Sequence, residues 1–383
     1  MRLASWLATV SDAFVDTTML RGIAAGSGLP LSMLVAGPVA RVQWLVDRAF
    51  DGVPRREALG HVPGWRLART LRRLRATADL VVARVARRSV APLGFDDDWL
   101  PVPDWIGMRL DGPFDLDAIA RRNHSAHDDL RRVRRDWRAE TSHRADDFVA
   151  FYRDMYVPYM RRRYRAGAFL RSARRLRRVF RHGGLLWELH RGERVAGLLF
   201  VVRRGTLDAV ALGVSNGDEA LLRAGAVVAL YVHMIEFART SGCHAIDWHG
   251  SRPSLADGVT QVKRKWGGTV YDRPQVLHTT LVRWDRMSPA VLAFLARTPL
   301  VFHDVDGLSA LAVADGNDAA ANAKASARLR TPGLRRLVLL ASSMPAAERA
   351  GGPVLPLHIS AVDGGPRLLR AAMREALRVD ADG

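Results

Sequence analysis

Apolar residues along this chain keep two different periods, and the change between them divides it. Trp65 to Arg88 places Leu67, Leu71, Leu74 and Ala78 on one stripe with arginines elsewhere, which predicts a helix. Trp105 to Leu110 reads as a strand after a loop punctuated by Pro101 and Pro103. Ser125 suits the N-cap of a helix running through Leu130, Val133 and Trp137, with Asp128 and Asp129 in its first turn, where the helix dipole favours carboxylates. Two further helices are predicted. Asp146–Tyr159 packs through Phe148, Phe151, Met155 and Tyr159, and Phe169–Phe180 through Phe169, Ala173, Leu176 and Phe180.

The period then shortens. Leu185–His190 and Val195–Arg203 predict two strands joined at Arg191-Gly192-Glu193, and Leu207–Val214 predicts a third. Asn216-Gly217-Asp218 breaks it, and Glu219–Thr240 predicts a long helix. Cys243–His249 is a short strand and Asp257–Trp266 a short helix. Thr269–Arg283 gives strand segments split by Pro274. The class is therefore α/β with a mixed sheet and flanking helices.

Four regions follow. Residues 1–95, weakly periodic, predict a helical or irregular N-terminal region. Residues 96–180 carry a strand and Arg-rich helices, with room for the remnant of a degenerate tandem copy. Residues 181–300 form the α/β core, and residues 301–383 a loosely organised extension. In that extension Asp315–Arg328 is Ala-rich and reads as a linker or mobile helix, and only Leu334–Leu340 and Leu368–Leu377 promise structure.

Charge narrows the partners. The 58 Lys+Arg against 39 Asp+Glu give a net charge of +19, so the surface attracts anions: phosphorylated ligands, acidic carrier proteins, RNA or an anionic membrane face. The one cysteine, Cys243, excludes an intramolecular disulfide and a thiolate zinc site. His124 and His127 stand too isolated for a metal, and none is expected. Asp12 and Asp16 interrupt any signal-peptide core, and the glycines and prolines of Gly22–Ala40 make it a poor membrane span. These features predict a cytoplasmic protein with no transmembrane segment, with contact at the inner membrane face left open.

Three segments can carry chemistry. Leu221 to Ala226 places Arg223, Ala224, Gly225 and Ala226 at the start of the long helix, with Leu212 and Val214 of the preceding strand alongside. Free N–H groups there bind phosphate, although small residues also serve plain helix–sheet packing. Alternation along Cys243–His249 puts Asp247 and His249 on one face, and a carboxylate and imidazole at a strand end can supply a general base. Such a histidine can equally be structural. In Asp257–Trp266, Lys263 falls on the inward stripe with Val259, Val262 and Trp266, where a lysine needs an anionic partner or a task. Lys265 points elsewhere, as a solvated neighbour, and Asp257 is as much a helix cap as a functional acid. Only three lysines occur, Lys263, Lys265 and Lys324, and two of them lie here.

The order strand–strand–strand–helix–strand, with Arg223-Ala224-Gly225-Ala226 in the helix, resembles the Gcn5-related N-acetyltransferase (GNAT) fold. The segment DWHGSRPSLADGVTQVKRKWGG from Asp247 to Gly268 resembles its CelD-type and FemAB-like branch, as does Asp154-Met155-Tyr156-Val157-Pro158 with Arg161 to Gly167. The resemblance covers roughly residues 100–300. It implies transfer of an acyl group from a thioester, acetyl-CoA or another acyl-CoA, to an amine of a small-molecule, sugar or glycan-precursor acceptor. Pantetheine would lie between strands 207–214 and 243–249. His249 or Asp247 would accept the proton and Lys263 would stabilise negative charge, with Tyr156, Arg161, Asp257 and Trp266 on the substrate side. The loop is shorter than the common Gln/Arg-x-x-Gly-x-Gly/Ala pattern. Two alternatives stay beside this reading: a FemAB-like transferase drawing on aminoacyl-tRNA, and a non-catalytic protein of this fold that binds anions or a membrane surface.

Overall fold

Leu80–Ala86 (LVVARVA) is apolar on both faces, so it can be stable only inside a sheet covered on two sides. The computed structural model, which describes residues 13–164, 170–314, 319–341 and 354–381, places it there. The helical stripe read across Trp65–Arg88 ends at Leu74, and the residues from Leu80 form a strand. A short apolar run hides its period, so the sequence pattern does not separate this strand from the helix before it.

Contacts divide the chain into two units. The first takes the described residues of 1–106, 251–260 and 271–383, and the second takes 107–250 and 261–270. In the first unit, strands β1 (Phe14–Ile23), β2 (Pro30–Ala36), β3 (Arg55–Pro63), β4 (Leu80–Ala86), β5 (Leu100–Pro103) and β13 (His278–Arg283) make a six-stranded sheet in the order β3-β1-β2-β4-β13-β5. Only β2 and β4 pair in parallel. A second sheet of the same unit orders β14 (Leu300–Asp304), β15 (Gly307–Val313), β16 (Leu337–Ala341) and β17 (Val354–His358) in sequence. Leu20, Met33, Val82, Phe294, Val338 and Leu355 share one core across the two sheets.

The N-terminal region is thus a sheet rather than helical or irregular, and the C-terminal extension is ordered rather than loose over its described residues. Its strands are five to seven residues long, too short to show a period. Residues 1–12, with Asp12, lie outside the described residues, as do Arg165 to Phe169 and Asp315 to Asp318.

The second unit holds β6 (Ile106–Asp111), β7 (Trp137–Ser142), β8 (Gly184–His190), β9 (Glu193–Arg203), β10 (Thr206–Val214), β11 (Ala245–Ser251) and β12 (Thr269–Tyr271), in the order β12-β6-β11-β10-β9-β8-β7. Strands β7 to β10 are antiparallel neighbours, while β10 and β11 run parallel, linked by the helix Ala226–Thr240. This is the mixed α/β, GNAT-like order expected from the sequence. Among the described residues of 96–180 no separate copy forms. Both β6 and β7 join the same sheet, because each is too short to bury a core of its own.

Residues Phe151–Tyr156 form a wide π-helical turn lying flat on the sheet. Gly213 permits this: a Cβ there would stand 2.5 Å from the Tyr156 nitrogen, inside hard contact. Changing Gly213 to alanine should lower stability by about 1–3 kcal/mol, since the clash is with backbone. A urea unfolding midpoint measures it, and an unchanged midpoint would contradict this packing.

On the opposite face, Glu188 of β8 is fully buried, and both its oxygens contact His233 Nδ1, at 3.0 and 2.8 Å. Burial pushes its carboxyl up to about 7, against the pull of His233 and aided by the like charge of Glu236. The folded state therefore holds this proton above the pH at which the unfolded chain releases it. The contribution is complete below about 4.5 and is lost as pH rises through about 7. Chemical denaturation of Glu188→Gln should lose up to about 3 kcal/mol of the wild-type difference between pH 5 and 8. An unaltered difference would refute the assignment.

Candidate functional site

The parallel ladder between β10 and β11 is short. It pairs Thr206 with Ala245, Leu207 with Ile246, and Asp208 with Asp247, and ends there. Beyond it, β10 shifts register against β9 between Ala209 and Ala211, a bulge that bends the strand. The two strands part, with Asp208 and Asp247 at the apex.

His249 joins them. Single oxygen or nitrogen atoms of Asp208, Asp247 and His249 lie within 4.8 Å of one another, and all three residues are half-buried. Asp247 Oδ1 accepts from the His249 backbone N–H at 2.7 Å, while its Oδ2 stands 3.9 Å from His249 Nδ1. His249 has φ 55°, the left-handed region that non-glycine residues adopt at a cost of roughly 1–2 kcal/mol. This turn takes the imidazole out of strict alternation and back towards the carboxylates. Two carboxylates and an imidazole at this spacing are also a donor set that a divalent cation accepts.

Lys263 sustains the turn. Its ammonium, on a side chain only 3% exposed, donates to the carbonyls of Trp248 (2.8 Å), Gly250 (3.1 Å) and His249 (3.3 Å). The inward placement expected from the helical stripe holds, and three main-chain oxygens are among its partners. An ammonium can donate three hydrogen bonds, which suits it to hold this turn. Asp257 accepts from the Thr260 N–H at 3.0 Å and caps the helix Gly258–Lys265. Lys265 is no solvated neighbour: it contacts the Asp129 carboxylate and donates to Ser125 Oγ at 2.7 Å.

The phosphate cradle differs from expectation. Helix Glu219–Ala224 ends at Gly225, whose φ of 105° starts the helix Ala226–Thr240. Arg223 and Ala224 thus close one helix, and Arg223 stands 3.7 Å from Glu219. Only Gly225 and Ala226 stand at a helix N-terminus, with the Arg132 guanidinium 3.0 Å from where a Gly225 Cβ would be. The N-terminus nearer β10 is capped by Asp218, which accepts from Ala220 N at 2.6 Å and opposes a second anion. Leu212 is half-buried and Val214 buried in β10.

Of the substrate-side residues, Arg161 is exposed and Trp266 is 0% exposed, a core residue. Tyr156 is also buried. Its oxygen accepts from Arg171 N at 3.0 Å, Arg171 Nη1 donates to Val210 O in the bulge at 2.8 Å, and burial raises the phenol's pKa. Tyr156 therefore braces the bulge. Asp208, which the sequence pattern does not single out, is the one acid in the run Leu207–Val214.

No protein-family model matches the chain, and none of the curated proteins does. Among solved structures it is similar to L-PGS from Bacillus licheniformis, with 12% identity and a TM-score of 0.33 over 72% of this chain and 87% of that one. It is similar to FemX, at 10% identity and TM-score 0.37 over 72% and 90%. A GCN5-related N-acetyltransferase from Sphaerobacter thermophilus matches at 15% and 0.31 over 66% and 72%. Likenesses this distant leave the functional reading to the chain's own residues.

Proposed function

We propose that this chain is an acyltransferase that moves an acyl group from a thioester donor to an amine acceptor at the parting of β10 and β11. The observation that carries the reading is the Asp208–Asp247–His249 group at the apex of that parting. In GNAT-like folds, which the sequence resembles, the acyl arm lies in such a gap. The donor's carbonyl would then sit at the parting of the two strands, beside the three side chains. The amine attacks this carbonyl, His249 with Asp247 takes up its proton, and the thiolate leaves. Lys263 holds the His249 turn rather than the oxyanion. Acetyl-CoA or another acyl-CoA is the donor proposed, and a small-molecule or glycan-precursor amine the acceptor.

One observation favours a second donor. Asp218 and Glu219 occupy the helix start where a CoA pyrophosphate would sit, while Arg174, Arg175, Arg177, Arg178 and Arg181 are exposed around the helix Ala173–Phe180. An acyl group carried on tRNA, or on an acidic carrier protein, matches that surface.

Isothermal titration with acetyl-CoA and a longer acyl-CoA, at low and high salt, tests the reading. Micromolar binding that persists at high salt supports a CoA thioester. Binding only of aminoacyl-tRNA, falling steeply with salt, supports the second donor. Failure of every donor to bind would leave a non-catalytic protein on this fold.

A further inference from the structure

Among the described residues, large aromatic side chains are buried or half-buried except two, and those two touch. Phe14 at the start of β1 is 65% exposed and Trp65, just past β3, is 68% exposed. Their rings meet edge to face at 6.4 Å. Exposing a tryptophan and a phenylalanine together forgoes several kcal/mol of burial, so the chain needs a reason to keep them there.

Their surroundings supply the other half. Trp65 leads through a short 3-10 turn into the helix Leu67–Leu74, which buries Leu67, Ala68 and Leu71. Arg69 and Arg73 then follow Trp65 at i+4 and i+8, along the outer side. Arg66, Arg69 and Arg73 are exposed and have no carboxylate partner among the described residues. The carboxylates nearby in the sheet are already matched, Asp16 to His61 and Glu57 to Arg21, each at 2.6 Å. The surface is an apolar knob beside a row of guanidinium groups with no carboxylate partner among the described residues.

We infer that this surface docks on an anionic lipid bilayer, with Phe14 and Trp65 entering the headgroup boundary and Arg66, Arg69 and Arg73 lying against the phosphates. Interfacial tryptophan beside cationic residues is the pattern such a boundary selects. Charge argues against a second copy of this chain, since like rows of arginine would face each other. The ring geometry argues against a nucleic-acid reader, which would present a free ring face in a groove instead of two rings spent on one another. The inference does not depend on the acyl-transfer reading.

The test is co-sedimentation of the full chain with phosphatidylcholine vesicles, with and without about one-third phosphatidylserine. Binding should be at least tenfold tighter to the anionic vesicles. Phe14→Ser with Trp65→Ser should weaken it at least fivefold. Arg69→Glu with Arg73→Glu should weaken it more than twentyfold, taking about fivefold for each charge removed. All four positions are exposed, so melting temperatures should match wild type. Equal binding to neutral vesicles would overturn the inference, as would either variant pair binding like wild type. Two further results would reassign the surface: a concentration-dependent dimer lost in the serine pair, or single-stranded RNA binding lost in that pair.

Discussion

His249→Ala is expected to lower the acyl-transfer rate by 10²- to 10⁴-fold while leaving donor affinity within about twofold, the range a single general base contributes. The split follows from position. His249 stands with Asp247 and Asp208 at the apex of the strand gap, where an attacking amine would shed its proton, and a neutral imidazole is no anchor for the donor's phosphates. Asp247→Asn should cost nearly as much, because the carboxylate touches His249 twice, at its N–H and across 3.9 Å to Nδ1. The double variant should then be little worse than either single one, since the pair acts as a unit. Stopped-flow thioester consumption with a responsive amine, alongside titration of donor binding, reads both quantities. Wild-type turnover in His249→Ala would remove this site from the chemistry.

Strands β8 to β11 and the long helix were legible in the sequence because each is long enough to show its period. Alternation puts Asp247 and His249 on one strand face, but it is the left-handed turn at His249, which alternation does not show, that turns the imidazole towards the carboxylates. What stayed hidden depends on pairing and on local backbone. Nothing in Leu207–Val214 announces where the ladder to β11 ends, and only that end makes Asp208 an apex residue. Gly225 reads as a small residue within one helix until its φ of 105° splits that helix and removes Arg223 and Ala224 from the N-terminus. The sequence neighbours of Trp266 and Tyr156 point to the substrate side, but both side chains are buried in the core. Lys263 was correctly read as facing inward. Its partners are carbonyls, which are present at every residue and so carry no sequence signal.

Lys263→Met should be the most destabilising single substitution at the site. Methionine matches the length and apolar stem of lysine, so the change removes the ammonium and little packing. It strips a donor from the carbonyls of Trp248, His249 and Gly250 together. A buried acceptor left without its partner costs about 1–3 kcal/mol, and a shared donor lost from three should cost about 3–5 kcal/mol after local relaxation. Denaturant unfolding would show this as a lowered midpoint at unchanged slope. Lys263→Arg should not rescue it, because a planar fork cannot converge on three carbonyls around one point as an ammonium does. A second readout separates positioning from mere stability. At a denaturant-free temperature where the variant remains folded, the rate should fall by an amount close to that of His249→Ala, because the φ of 55° that brings the imidazole to Asp247 loses its support. Full turnover in a folded Lys263→Met protein would show that the His249 turn stands without the ammonium.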